Sequence, residues 1–369
     1  MRTGRVGVGV IGAGVISSRY LTNLSSFPDV RVLFVADIDV ERAASQAQEF
    51  AVPRSGTVSE LLADPEVEIV VNLTIPAVHA EVAMAAVAAG KHVWSEKPFA
   101  LDRESGRELL EKAEQAGLRV ATAPDSFLGS GVQTARRLIE AGEIGEALTA
   151  LSVMQTPGPD GWHPNPEFLF QEGAGPLFDI GPYHLTALVQ LFGPVASVFA
   201  TASQARTVRT IGAGPRAGEE FDVTTPTHIS AIYEFESGRS AQCLFSFDSK
   251  LPRTLFEISG SEATLSVPDP NTYAGELHIH RGRDDVAAIP SSGVTTNHGI
   301  GVAELAQAIR EGRPERASGE QAYHVLDVML ATLESARSSA RVDVESTTVV
   351  APALPVDWDP HQPSLFVEE

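Results

Sequence analysis

Two short stretches hold residue types that could do chemistry together: Glu96-Lys97-Pro98 and Asp179-Ile180-Gly181-Pro182-Tyr183-His184. The lysine closes the apolar run 92–95 of an alternating pattern, where its ammonium could touch both a nicotinamide ring and a substrate hydroxyl. Oxidising a carbinol requires that the hydroxyl proton leave as the hydride does, so a base must lie within hydrogen-bond reach of that oxygen. In a helix starting near Asp179, residues i and i+4 share a face, which groups Asp179 with Tyr183 and turns His184 away. A phenol with a free pKa of ~10 is helped toward phenolate by a neighbouring cation such as Lys97, whereas an imidazole needs no such tuning. Tyr183 is the preferred base and Asp179 the orienting carboxylate. His184 is the alternative base; its competing role is that of a helix histidine packed on a sheet and satisfied by backbone.

The elements that must position these groups are legible in order. Residues 5–11 (RVGVGVI) are a short apolar run that passes into Gly12-Ala13-Gly14-Val15-Ile16-Ser17 and then an amphipathic stretch, hence strand, tight turn and helix start. Gly12 would supply backbone angles closed to side chains, and Gly14 would let a pyrophosphate approach amides at the helix N-terminus. Ser17 stands where a third Gly or Ala is usual. The next apolar run, 31–36, ends in Asp37, placed to bond an adenosine ribose diol and so to favour NAD over NADP; Ile38 and Asp39 follow it, with no immediate Arg. Helices at 40–50, 58–63, 77–89 and 103–116 alternate with strands at 69–73, 92–95 and 119–123, which reads as a doubly wound parallel sheet. Ligands of such sheets sit beyond the carboxyl ends of the strands, where Gly12, Asp37, Thr74, Glu96, Lys97 and Asp125 all fall.

Past Asp125 the texture changes. A helix at 131–141 precedes strand-like runs at 147–154, 195–205, 227–235, 240–247, 254–260, 263–267 and 276–280, and helices at 301–311 and 319–338 follow. The fold class is therefore α/β, a nucleotide-binding domain over residues 1–125 and an α+β domain with a largely antiparallel sheet over 126–369. The Pro- and Gly-rich stretch 156–178 is a candidate wall or lid, 209–225 a candidate mobile loop, and the chain from Pro352 an extended arm. Trp162 and His163 on the first loop, Asp125 and Phe127 after the 119–123 strand, and His298 are weaker candidates for lining a sugar site. Arg206, Arg209, Arg216, Lys250 and Arg253 leave room for an anionic sugar. His278 and His280 alternate on one strand without the spacing of a metal site, and no metal is expected.

The formal charge of -21 and pI near 4.8 argue against nucleic acid or an anionic membrane as partner. A lone cysteine, Cys243, excludes an intrachain disulfide and fits a reducing cytoplasm as a packed strand residue. No apolar run of membrane-spanning length occurs, and the first strand begins too near Met1 for a signal peptide.

Gly12-Ala13-Gly14, Asp37, Thr74 to His79, Glu96-Lys97-Pro98 and the Asp179 to His184 segment together resemble the glucose-fructose oxidoreductase / inositol 2-dehydrogenase / MocA family over nearly the whole chain. The resemblance implies an N-terminal Rossmann domain, a C-terminal domain whose open sheet forms dimers or tetramers, and NAD(P)-dependent oxidation of a secondary alcohol on a sugar or cyclitol. Lys97 matches the lysine that bridges cofactor and substrate, Glu96 its neighbour near the carboxamide, and the bond before Pro98 is a candidate cis peptide. Thr74 and His79 match the family's loop after the strand 69–73, although Ile75 and Pro76 stand where Pro and Asn are usual. Tyr183 at the i+4 position is closer to the tyrosine-bearing members. Two other functions are kept beside the dehydrogenase. One is a glycosidase that oxidises, eliminates and re-reduces on a retained NAD; the other is a non-catalytic sensor of NAD or sugar.

Overall fold

The computed structural model describes residues 4–365. The chain forms two compact units, and the division is not the simple cut expected near residue 125. Unit 1 runs to Gly129 and also takes Gly293–Leu326 and the chain from Val350 on; unit 2 comprises Ser130–Ser292 and Asp327–Val349.

Unit 1 is built on β1 (Val6–Ile11), β2 (Val30–Ala36), β3 (Arg54–Gly56), β4 (Ile69–Asn72), β5 (His92–Ser95) and β6 (Val120–Thr122). These pair in the order β3-β2-β1-β4-β5-β6, every pair parallel. All six residues of β1 are buried, as a central strand covered on both faces requires. Between the strands run α1 (Val15–Leu24), α2 (Val40–Glu49), α3 (Val58–Ala63), α4 (His79–Ala88) and α5 (Arg103–Gln115). Local chemistry starts several of them: Asp39 and Asp102 cap α2 and α5, and Thr57 and Glu60 form a reciprocal capping box on α3. The edge strand β3 is a short polar segment with no apolar alternation, and the sequence gives no sign of it.

Unit 2 contains α6 (Ser130–Glu140), β7 (Ala147–Gln155), α7 (Gly175–Asp179), α8 (Gly181–Phe192), β8 (Val195–Ser203), β9 (Val208–Thr210), β10 (Glu220–Asp222), β11 (His228–Phe235), β12 (Ser240–Ser246), β13 (Arg253–Gly260), β14 (Thr264–Ser266), β15 (Glu276–His280) and β16 (Val286–Pro290). Two helices follow, α9 (Ile300–Glu311), which belongs to unit 1, and α10 (Gly319–Ser338), which begins in unit 1 and ends in unit 2; β17 (Val342–Asp343) completes the large sheet. That sheet has nine strands in the order β16-β15-β14-β13-β7-β12-β11-β8-β17. Only β7 and β12 pair in parallel, so it is mixed and mostly antiparallel as expected. Cys243 is a buried strand residue of β12.

Segment 209–225 is not the free loop the sequence suggests. β9 and β10 pair there as a small hairpin, and Arg209 pins it by bonding Asp160, Asp248 and the carbonyls of Pro157 and Phe247. The arm from Pro352 is extended but docked on unit 1. Asp29, buried, accepts from the Ser364 and Leu365 amides, the Ser364 hydroxyl and Gln307 Nε2, and Trp358 Nε1 donates to Gln307. Among the described residues no helix is long and apolar enough to cross a membrane.

Candidate active site

In unit 1 the residues between β1 and α1 make a turn with the shape a dinucleotide needs. Gly12 has φ +102°, and a Cβ there would lie 2.6 Å from the Leu73 carbonyl oxygen. A Cβ on Gly14 would meet nothing within 4 Å, so the missing side chain leaves open space in front of α1. No side chain caps α1; the Ser17 amide bonds back to the Gly14 carbonyl at 3.0 Å, and the Val15 and Ile16 amides ahead of it are the ones placed to meet a phosphate. Ser17, fully buried, turns its hydroxyl onto the Gly14 carbonyl at 2.6 Å and so tolerates the close packing usually given to glycine or alanine. The residues present fit a dinucleotide. Ala13 is buried beneath the turn, Ile16 is half-buried, and Val15 and Ile38 are 96% and 94% exposed, apolar surfaces flanking the turn and the end of β2.

Asp37 is preset. Its Oδ2 accepts the Ala13 amide at 2.7 Å, and Oδ1 accepts the Asp39 amide at 2.9 Å and an Arg42 guanidinium nitrogen at 2.7 Å. Burial works to raise its pKa, but the bonds from Arg42, Ala13 and Asp39 outweigh it and hold the carboxyl below its usual range. Arg42 lies five positions beyond Asp37, outside the immediate neighbourhood in which the sequence shows no arginine.

The ends of β4 and β5 are joined by a network that sequence reading missed. Asn72, buried at the end of β4, donates to the His79 carbonyl and Ser95 Oγ and accepts from the Thr74 amide and hydroxyl. His79, expected among the cofactor contacts, is instead buried with Nδ1 2.8 Å from the Pro98 carbonyl and Nε2 3.0 Å from the Thr74 carbonyl. It ties the Thr74 loop to the residue after Lys97. Pro76 opens a single turn of 3-10 helix after Ile75, whose side chain is exposed. Glu96, expected beside the nicotinamide carboxamide, has both oxygens engaged within unit 1: Tyr20 Oη donates to Oε1 at 2.8 Å and the Lys97 amide to Oε2 at 3.0 Å, while Trp94 Nε1 donates to Tyr20. Lys97 is half-buried and the Lys97-Pro98 peptide is cis, as the sequence suggested. A buried Asn closing an apolar strand and a Tyr on the inner face of α1 are the signals that could have found this network.

Two weaker candidates are structural. Asp125 is buried and accepts the Gly299 and Gly301 amides at 2.9 and 3.1 Å, capping α9, and Phe127 is buried beside it in sequence. His298 lies edge-on to Tyr20.

In unit 2 the expected single helix is two. Asp179 ends α7 and Tyr183 sits in the first turn of α8, because Gly181-Pro182 interrupts the amide ladder; Ile180 between them keeps helical angles. Asp179 and Tyr183 are half-buried, whereas His184 is 0% exposed. The His184 ring lies edge-on to Phe245 and Phe256, and Nδ1 is 2.7 Å from Ser152 Oγ on β7. Burial pushes its pKa down to about 3, so it is neutral, and its 3.9 Å approach to Asp269 is not an ion pair. This setting counts against His184 as a base exchanging protons with substrate, and its partner is a side chain, not the backbone expected. Trp162 is 68% exposed on the 156–178 loop and lies edge-on to His163, itself edge-on to Phe168. Arg209 and Arg216 are engaged with carboxylates, which removes two of the cations expected to be available to an anionic sugar.

Residues 6–123 match a family model described as an oxidoreductase family with NAD-binding Rossmann fold, and residues 132–266 match the GFO/IDH/MocA C-terminal domain. A 1,5-anhydro-D-fructose reductase of Ensifer adhaerens is 27% identical over 348 residues, covering 92% of this chain and 98% of the relative. A trans-1,2-dihydrobenzene-1,2-diol dehydrogenase of Mus musculus is 28% identical over 267 residues, covering 70% and 73%. A levoglucosan dehydrogenase solved with NADH and L-sorbose matches with a TM-score of 0.81 at 22% identity, covering 93% of this chain and 99% of that one; at this identity the likeness speaks for the fold.

Proposed function

The chain belongs to the GFO/IDH/MocA oxidoreductase family with its NAD-binding Rossmann fold, and from that premise we propose that it oxidises a secondary hydroxyl of a sugar, glycoside or cyclitol with NAD. The observation that carries the reading is Lys97 at the end of β5, between a glutamate fixed by Tyr20 and a proline tied by His79 to the Thr74 loop. NAD, when bound, supplies the acceptor for the hydride. Of the unit 1 residues, Lys97 is assigned to hold a substrate hydroxyl oxygen through its ammonium; of the unit 2 residues, Tyr183 is assigned as the base and Asp179 as an acceptor for a substrate hydroxyl. Asp37 receives the ribose diol. Three of its roughly four acceptor positions are already filled, so Arg42, which is half exposed, gives one up.

The test is NADH formation across a panel of aldoses, anhydrosugars, cyclitols and vicinal diols, run beside nitrophenyl glycosides. Net NADH with a polyol or sugar supports the dehydrogenase. Nitrophenol release without net NADH would replace it by the oxidise-eliminate-reduce glycosidase, and silence across both panels would leave an NAD- or sugar-sensing protein.

We also propose that the open face of the unit 2 sheet joins two copies of the chain. Leu151, Gln242, Ile232 and Phe199 are cross-strand neighbours in one row on β7, β12, β11 and β8, and the three apolar members are exposed. We assign the protein to the cytoplasm on its single, buried cysteine.

A further inference from the structure

His184 has a polar atom that the reaction does not use and the fold does not satisfy. Its Nε2 is buried with no hydrogen-bond partner, 3.9 Å from Asp269 Oδ1. Its Nδ1 meets Ser152 Oγ at 2.7 Å. Ser152 is buried on β7 and is the cross-strand neighbour of Cys243 on β12, whose thiol hydrogen-bonds to it. Burial keeps the thiol protonated, and the three groups form one continuous line from Cys243 Sγ through Ser152 Oγ to His184 Nδ1, with Nε2 on the far side of the ring facing Asp269. The line meets α8 one residue after Tyr183, in a first turn that Gly181-Pro182 leaves without a side-chain cap. Phe245 and Phe256, edge-on to the ring, fix its plane.

We propose that His184 is a positioning residue for Tyr183: the Cys243–Ser152–His184 line anchors the first turn of α8 to β7 and so sets where the Tyr183 hydroxyl stands. The inference rests on the reading of Tyr183 as the base. The anchor moves no proton to substrate; it restricts the backbone that carries the group that does. Misplacing a reacting group by about 1 Å costs up to ~100-fold in rate, and loss of the anchor acts on that scale.

The test compares four variants of the full chain with the wild type. His184→Phe fills the same space without a hydrogen bond, His184→Asn keeps an acceptor near the place of Nδ1, Ser152→Ala removes the other partner, and Tyr183→Phe tests the base itself. The readouts are kcat per NADH-binding site, KM, NADH affinity and melting temperature. We expect His184→Phe and Ser152→Ala each to lower kcat by ~10- to ~100-fold with KM and NADH affinity little changed, and their combination to be no worse than either alone. His184→Asn should recover most of the loss. A kcat per binding site that stays at the wild-type value in His184→Phe, whatever the melting temperature, or losses that multiply in the combination, overturns the inference. If Tyr183→Phe retains full activity, the reading of the base fails instead, and the two failures are distinguishable.

Discussion

Asp37 and Lys97 carry the residue-level consequences. Asp37 is held by two amides and Arg42, so a shorter neutral side chain both loses the ribose acceptor and releases a guanidinium beside it. Hydrogen bonds to a charged group are worth about 1.5–3 kcal/mol, so Asp37→Ser should shift the NAD:NADP ratio of kcat/KM toward NADP by about tenfold or more. An unchanged ratio in parallel kinetics with both cofactors would remove the ribose assignment. Lys97→Ala should lower kcat by at least ~100-fold while NADH titration gives nearly the same affinity. A collapse of NADH binding instead would make the lysine a cofactor ligand first. The charged and glycine residues of this half were legible because strand ends and turns announce them. Asn72 and Tyr20 were not, since they work through partners 23 and 76 positions away that only the fold brings near, and nothing in the sequence marks Arg42 as reaching back to Asp37.

Among the elements, the hairpin β9–β10 depends on one buried cation. Arg209 is 2% exposed between Asp160 and Asp248 and lies over the Phe170 ring. Removing one partner of a buried ion pair costs roughly 3–5 kcal/mol because the remaining charges are stranded. Arg209→Met should therefore lower the melting temperature and open 206–225 to limited proteolysis; an unchanged cleavage pattern would show that the hairpin holds without it. Sequence alone could not see this hairpin, because three-residue strands show too little alternation and Arg209 looks like any surface arginine. The Asp179–Tyr183 pairing survived as a spacing but not as one helix. Gly-Pro resets the amide ladder without turning the chain away.

Whole-molecule stability should carry the signature of two histidines held neutral, His92 half-buried and His184 fully buried. Burial, reinforced by the charge of Arg119, lowers the pKa of His92 to about 4, and the Arg119 amide donates to its Nδ1; burial takes His184 to about 3. Unfolded, both titrate near ~6.5 and bind protons that the folded chain refuses. Stability from these groups is complete above pH ~6.5 and falls as the pH drops toward 4. Melting temperatures taken across that window should decline, and less steeply in His92→Asn; a flat wild-type profile would contradict the burial argument. At the same scale, Phe199→Glu on the exposed row of the large sheet should halve the mass seen by light scattering if two copies meet there, and leave it unchanged if they do not.

The docking of Ser364 and Leu365 on Asp29 bears on how the molecule can be taken apart. Unit 1 is assembled from three separated stretches. A fragment cut at residue 129 keeps every glycine and carboxylate of the nucleotide turn, yet it lacks α9 and the strap that covers Asp29. The NAD-binding half is therefore not a cassette that can be excised and grafted at its apparent boundary, and a chimera should carry Gly293–Leu326 and the residues from Val350 to Leu365 along with it.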